Sequence, residues 1–172
     1  MKGSTRSAIA ADADAIAGIY KPFVHDTAAS FEIEAPSTAD MEFRIAATPR
    51  WLVYESGGSV LGYAYADQLR SRAAYAWSAE LSIYVSRASW GRGVGRALLT
   101  DLCGLLVAAG FVNAFAGITL PNPRSVGLFE SFGFLPCGIQ RQVGFKLGAW
   151  HDVGWWQRQL RAATNPPPER NA

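Results

Sequence analysis

The chain has 172 residues, 49% of them hydrophobic and 12% aromatic, which suits one compact domain with a sizeable core and leaves two domains cramped. Only 17% of residues are charged, below the ~25% of average globular chains, and six tryptophans accompany them; disorder is disfavoured, and part of the apolar surface is expected to meet a partner subunit. Sixteen Lys and Arg against fourteen Asp and Glu leave a formal charge of +2, too even for a nucleic-acid footprint or a membrane-surface patch, although a pocket for a small anion needs only a few arginines.

The N-terminal stretch is alanine-rich but broken by Asp12 and Asp14, with no uninterrupted apolar run and no cleavage-site pattern. No apolar stretch reaches the ~20 residues that cross a bilayer, so a soluble cytoplasmic protein is expected. Ile16, Ile19 and Tyr20 recur at helical spacing and predict a first helix over 10–20. A second, over 41–47, should stop before Pro49, since the residue preceding a proline avoids the α region. Residues 51–55 and 60–65, joined by Ser56-Gly57-Gly58-Ser59, read as a hairpin, because Gly-Gly supplies positive φ in a tight turn. Residues 74–85 are the next strand candidate, and their last part alternates, with Leu81, Ile83 and Val85 on one face and Ser82 and Tyr84 on the other.

From Gly95 to Ala109 the period changes to 3.6, with Leu98, Leu102, Leu105 and Leu106 on one face and Gly110 placed to end a helix. A strand over 111–120, a turn at Pro121-Asn122-Pro123, a short helix over 125–132 and strands over 138–147 and 152–160 complete the pattern. Strands alternate with helices, so the fold class is α/β or α+β with a mixed sheet. Residues 1–163 form a single domain in this reading, and 164–172 a proline-rich tail that is extended or frayed. Cys103 and Cys137 have no CxxC or CxxH companion, so neither a disulfide framework nor a metal site is suggested.

The most informative stretch is the strand ending at Val85, a turn containing Gly91, Gly93 and Gly95, and the helix that starts at once. Helix-start N–H groups are unpaired and the dipole there favours negative charge, so the turn suits a phosphate or pyrophosphate, with Arg92 and Arg96 as charge-assisted partners. A nucleoside-triphosphate loop would need Gly-Lys-Ser/Thr where Gly95-Arg96-Ala97 stands. A dinucleotide fold would need a third glycine after Gly93-Val94-Gly95 and an acid closing the next strand, and residues 111–120 contain none.

The turn Trp90-Gly-Arg-Gly-Val-Gly95 resembles the pyrophosphate loop of the GNAT superfamily of N-acetyltransferases, with Trp where Arg or Gln is usual. Ser30-Phe31-Glu32, Trp51-Leu-Val-Tyr-Glu55, Arg70-Ser-Arg72-Ala-Ala-Tyr75-Ala-Trp77-Ser-Ala-Glu80, Leu120-Pro-Asn122 and Gly144-Phe-Lys-Leu-Gly-Ala-Trp150-His-Asp-Val-Gly-Trp-Trp-Gln157 are similar to the phosphinothricin and methionine sulfoximine acetyltransferase branch. The resemblance implies a GNAT fold, with a central mixed, mostly antiparallel sheet flanked by helices. It also implies acetyl-CoA as co-substrate, no metal, and a homodimer in which the tryptophan-rich C-terminal strands take part.

Site residues follow from the same resemblance. Glu80 would be the catalytic base, with a strand-edge glutamate paired with an arginine as the alternative that the motif context disfavours. Arg70, Arg72 and Tyr75 would bind the acid group of a small acceptor, and Phe31 and Val153 would wall its side chain or simply belong to the core. Ile83, Tyr84 and Val85 would meet the pantetheine arm through backbone groups, and Gly91, Arg92, Gly93, Val94, Gly95 and Arg96 the pyrophosphate. Asn122 and Ser125 would complete the cofactor contacts, with a plain turn as the alternative for Asn122. Phe129 stands where the superfamily has Tyr, or the branch His, as donor to the leaving thiolate. His151 reads as a structural hydrogen-bonding residue and His25 as surface. The expected reaction is direct transfer of acetyl to the α-amine of a phosphinothricin-, methionine sulfoximine- or methionine sulfone-like acceptor. The rivals are a peptide N-terminus or other amine as acceptor, and an acyl-CoA-binding module without turnover.

Overall fold

The computed structural model describes residues 3–170. Strand β1 spans Ser4–Ser7, helices α1 and α2 span Ala13–Asp26 and Thr38–Ala47, and β2, β3 and β4 span Trp51–Ser56, Ser59–Gln68 and Ser78–Val85. Helix α3 (Val94–Ala108), β5 (Asn113–Leu120), α4 (Pro123–Glu130), β6 (Leu135–Lys146) and β7 (Ala149–Gln159) follow. The strands form one seven-stranded sheet in the order β1-β2-β3-β4-β5-β7-β6. Only β4 and β5 run parallel, so the sheet is mixed and mostly antiparallel with helices on both faces, as expected.

Strand alternation divides the core into two layers. Leu52, Leu81, Ala114, Ala116, Ile118 and Trp156 point to the face covered by α3 and α4, where Leu98, Leu99, Leu102 and Leu106 are fully buried. Val53, Tyr63 and the partly buried Tyr65 and Tyr84 point to the other face, covered by Ile16, Tyr20 and Val24 of α1 and Met41 and Ile45 of α2.

Several boundaries differ from the sequence reading, each for a physical reason. Helix α1 continues six residues past Tyr20, through Pro22, because Phe23 and Val24 extend its apolar face and Val24 is 1% exposed; burial there outweighs the lost backbone hydrogen bond. Helix α2 starts earlier, since Ser37 and Asp40 form a reciprocal capping box. Residues 73–75 are a short 3₁₀ turn, so β4 begins at Ser78. Helix α4 starts at Pro123, because Asn122 caps it by accepting from the Ser125 N–H at 3.2 Å and proline suits the first helical position. Strand β1, polar and without alternation, carried no sequence signal; Arg6 pins it by bonding Asp12 at 2.7 and 2.8 Å and Glu55 at 2.9 Å. Strand β6 begins three residues early, at Leu135, and is an irregular edge strand whose register shifts twice against β7.

The C-terminal tail is extended and docked rather than frayed. Trp77 Nε1 donates to the Pro168 carbonyl at 2.8 Å, and the Arg170 guanidinium lies 4.0 Å over the Phe111 ring while bonding the Ala76 carbonyl. Glu169 sits where a side chain on Gly110 would be, so that glycine permits the docking.

Candidate active site

The parallel ladder between β4 and β5 lasts only from Ser78–Glu80 opposite Asn113–Phe115. Beyond it β4 stays with β3 and β5 stays with β7, and the two strands part, opening a wedge through the centre of the sheet. Backbone groups of Leu81–Val85 on the β5 side therefore have no strand partner there, an edge ready to pair with an extended chain.

A cavity of about 800 Å³ runs from this wedge to the start of α3. Ile83, Val85, Gly91, Gly93, Val94, Gly95 and Arg96 line it from one side, and Asn122, Ser125 and Phe129 from the other. Of the eleven sequence-predicted cofactor residues, nine line this cavity, as does Phe129; Tyr84 does not, because its ring packs on Tyr20 at 4.8 Å on the other face of the sheet, and neither does Arg92. Gly91 and Gly93 both have positive φ, 74° and 82°, the conformation glycine adopts without penalty. No side chain caps the first turn of α3, so its free N–H groups face the cavity mouth with the helix dipole behind them. Arg96 joins the wall, bonded to Ser131 Oγ at 3.3 Å and stacked on Phe132 at 5.2 Å; Arg92 is exposed and lies outside it. The uncapped helix start, the glycine turn and the unpaired β4 edge fit a diphosphate followed by an extended amide-bearing arm.

The sequence reading missed part of this wall. Trp90 donates through Nε1 to the Val85 carbonyl at 2.9 Å, and the Arg124 guanidinium stacks on its ring at 4.2 Å, so the unusual first residue of the turn buttresses it. Thr27, Ala28 and Ala29, after α1, close the opposite side, and His151 borders the cavity as well. Arg124, Thr27–Ala29 and His151 carry no local sequence signal, since each arrives from a segment distant along the chain from the turn.

Glu80 sits where the ladder ends, on the face that also carries Phe115, Val153 and Trp155 by strand register. Arg70 Nη1 lies 3.8 Å from its Oε2, and the same guanidinium is 5.8 Å over Trp155. Burial is the main influence on the Glu80 carboxyl and raises its pKa above the ordinary 4.5; Arg70 opposes this, and Asp67, its cross-strand neighbour, adds to it. Glu80 is thus half-buried and has an arginine partner, the pairing that the plainer sequence reading described. Arg72 and Tyr75 are on the exposed turn after Arg70. Phe31 lies over Gly144, 6.3 Å from the His151 ring, and His151 Nε2–H donates to the Lys146 carbonyl at 2.9 Å, the structural bond expected of it. Phe129 is 5% exposed, packs edge-on against Phe134 at 5.1 Å and has no proton to give.

The split sheet and the uncapped glycine turn at a helix start are features of the acyltransferase class that the family match defines. Residues 5–155 match the acetyltransferase (GNAT) domain, and the chain belongs to that family. It is 39% identical over 170 residues to phosphinothricin N-acetyltransferase of Streptomyces viridochromogenes, covering 96% of this chain and 92% of that one. It is 36% identical over 166 residues to L-methionine sulfoximine/L-methionine sulfone acetyltransferase of Salmonella typhimurium, covering 90% and 93%. Among solved structures, a phosphinothricin acetyltransferase from Sinorhizobium meliloti in complex with AcCoA superposes with a TM-score of 0.88 at 38% identity, covering 92% of this chain and 89% of that one.

Proposed function

We propose that this chain moves acetyl from acetyl-CoA to the α-amine of a small amino-acid-like acceptor of the phosphinothricin, methionine sulfoximine or methionine sulfone type. The observation that carries the reading is the place of Glu80, beside Arg70, on the last pair of the β4–β5 ladder, with the cavity lined by Ile83 and Val85 further along the same strand. The chemistry supplied by acetyl-CoA when bound is an activated thioester. The α3 N–H groups, with Arg96, would hold its diphosphate, and the Ile83 and Val85 backbone its extended arm. Arg70 and Arg72 would take the acceptor's carboxylate or phosphinate, with the Tyr75 hydroxyl as a further donor, and Phe31 and Val153 would flank its side chain.

Glu80 would remove the ammonium proton, directly or through water, because a raised pKa brings a carboxylate nearer to the operating pH of a base. Amine attack is direct, in a ternary complex, with Glu80 as base and no enzyme nucleophile; the new C–N bond replaces the thioester C–S bond, and the departing thiolate takes its proton from water or from the proton the acceptor released. The chain would act as a cytoplasmic homodimer. Strand β6 and the start of β7 expose Leu135, Ile139, Val143, Phe145 and Trp150 at 49–69%, a stripe a second copy would cover. Resistance to a herbicide-like acceptor would follow from its acetylation.

Purified protein with acetyl-CoA and each of the three acceptors should release free thiol, with no release at millimolar acceptor overturning the reading. Phe129 favours one rival, a binding module without turnover; tight acetyl-CoA binding by calorimetry with no acetylated product across an amine library would establish it. A peptide N-terminus as acceptor would leave the KM of Arg70→Ala and Arg72→Ala variants unchanged.

A further inference from the structure

Lys146 ends β6 with only 6% of its surface exposed, and its ammonium donates to the Ser30 carbonyl at 2.6 Å. Burying a cation is costly unless it is well bonded, and burial lowers its pKa here, with Glu32 acting in the opposite sense. Glu32 itself is committed to Arg44, at 2.7 and 3.1 Å. An apolar side chain would fill the same space without that cost, so the bond to one loop carbonyl is the feature to explain.

Everything around that carbonyl lies at the junction of the cofactor cavity and the acceptor face. Immediately before Ser30, Thr27, Ala28 and Ala29 line the cavity. Immediately after it, Phe31 lies over Gly144, the one residue type that leaves room for the ring. Ser30 is fixed from behind as well: its hydroxyl accepts from the Glu32 N–H at 3.1 Å and meets Tyr20 Oη at 2.6 Å, and Tyr20 donates to Glu32 at 3.0 Å. Lys146 also receives, through its own carbonyl, the His151 Nε2–H. One residue thus holds the loop that bears Phe31 and the ring that stands beside Phe31.

We propose that Lys146 is a positioning residue that latches the 27–33 loop and so sets the wall against which the acceptor side chain packs. It acts through Phe31 and touches no reacting atom. This rests on the acetyl-transfer reading given above, in which Phe31 is that wall.

The test is a mutant cycle of Lys146→Met, Phe31→Ala and the double variant, with methionine sulfone as acceptor. Lys146→Met keeps the length and loses the charge and donors. Its acceptor KM should rise about tenfold, the scale of one charge-assisted hydrogen bond, while kcat and the acetyl-CoA KM stay within about twofold of wild type. The double variant should be no worse than the weaker single one, because both remove the same wall. Additive KM effects, or an unchanged acceptor KM, would overturn the proposal. Hydrogen exchange on the ligand-free protein reads the latch without any acceptor: amides of 28–33 should exchange about tenfold faster in Lys146→Met, and wild-type protection there would overturn it. Wild-type protein that releases no thiol would instead count against acetyl transfer itself. Should Lys146→Met not fold, Gly144→Ala keeps the cation and denies Phe31 its seat, so it must raise acceptor KM in the same way; an unchanged KM refutes the latch.

Discussion

In the proposed reaction Glu80 meets two opposed demands, to be basic enough to take a proton and to remain charged in a half-buried place. Burial raises its pKa and Arg70 restrains the rise, so the acid limb of kcat/KM should lie above the ordinary carboxyl value of 4.5. Glu80→Gln should lower kcat/KM by about 10²–10⁴-fold and flatten that limb, measured by thiol release across pH. Arg70→Ala removes the opposing charge, and so should move the limb to higher pH while raising acceptor KM. Stability follows the same sign. A folded pKa above the unfolded one contributes stability below the unfolded pKa, and that contribution is lost as pH rises through the folded value. The melting temperature of Glu80→Gln relative to wild type should therefore be higher at neutral pH than in acid.

At the scale of elements, the start of α3 depends on backbone conformation more than on side chains. Gly93 has a φ of 82° with open space around its Cα, so Gly93→Ala incurs only backbone strain, about 1–2 kcal/mol by thermal melting, together with weaker acetyl-CoA binding. Strand β1 presents the reverse case, held by side chains where the backbone signal is weak. Arg6 keeps the Asp12 carboxyl below its ordinary range, chiefly through their hydrogen bonds. A depressed carboxylate pKa contributes stability above the unfolded value and loses it as pH falls through the folded one. Arg6→Met should cost about 1–2 kcal/mol at neutral pH, discounted for the partial exposure of Arg6, and the loss should shrink in acid, as urea titrations at the two pH values would record. The Arg6 pairings join residues 6, 12 and 55, whose proximity no local pattern announces.

For the whole molecule, the apolar excess in the composition resolves into two buried layers and one exposed stripe on β6. A homodimer would cover that stripe, and light scattering should give twice the chain mass; Ile139→Lys, placing a charge on the edge strand, should return it to the monomer mass without lowering the melting temperature of the fold. Helix α3, the β2–β3 hairpin and the glycine turn were legible in the chain because each obeys a local rule: a 3.6-residue period, a Gly-Gly turn, glycines at positive φ before a helix. Local rules also placed Glu80 and the cofactor turn on successive elements, and the family resemblance attached roles to them. The end of α1 and the start of β4 were not legible, since in each the outcome depends on what packs against the segment rather than on its own residues. The divergence of β4 and β5, which makes the cavity, depends on how two strands are each held by their outer neighbours. The Trp90–Arg124 stack, the Thr27–Ala29 wall and the Lys146 latch are likewise pairings between distant segments. Sequence by itself determined the periodicities, the glycine turn ahead of α3 and the residue types available for chemistry, because these are set within a few bonds of chain. Tertiary structure alone decided which of those residues meet and how strongly Glu80 is desolvated, because contact and burial are properties of the assembled sheet.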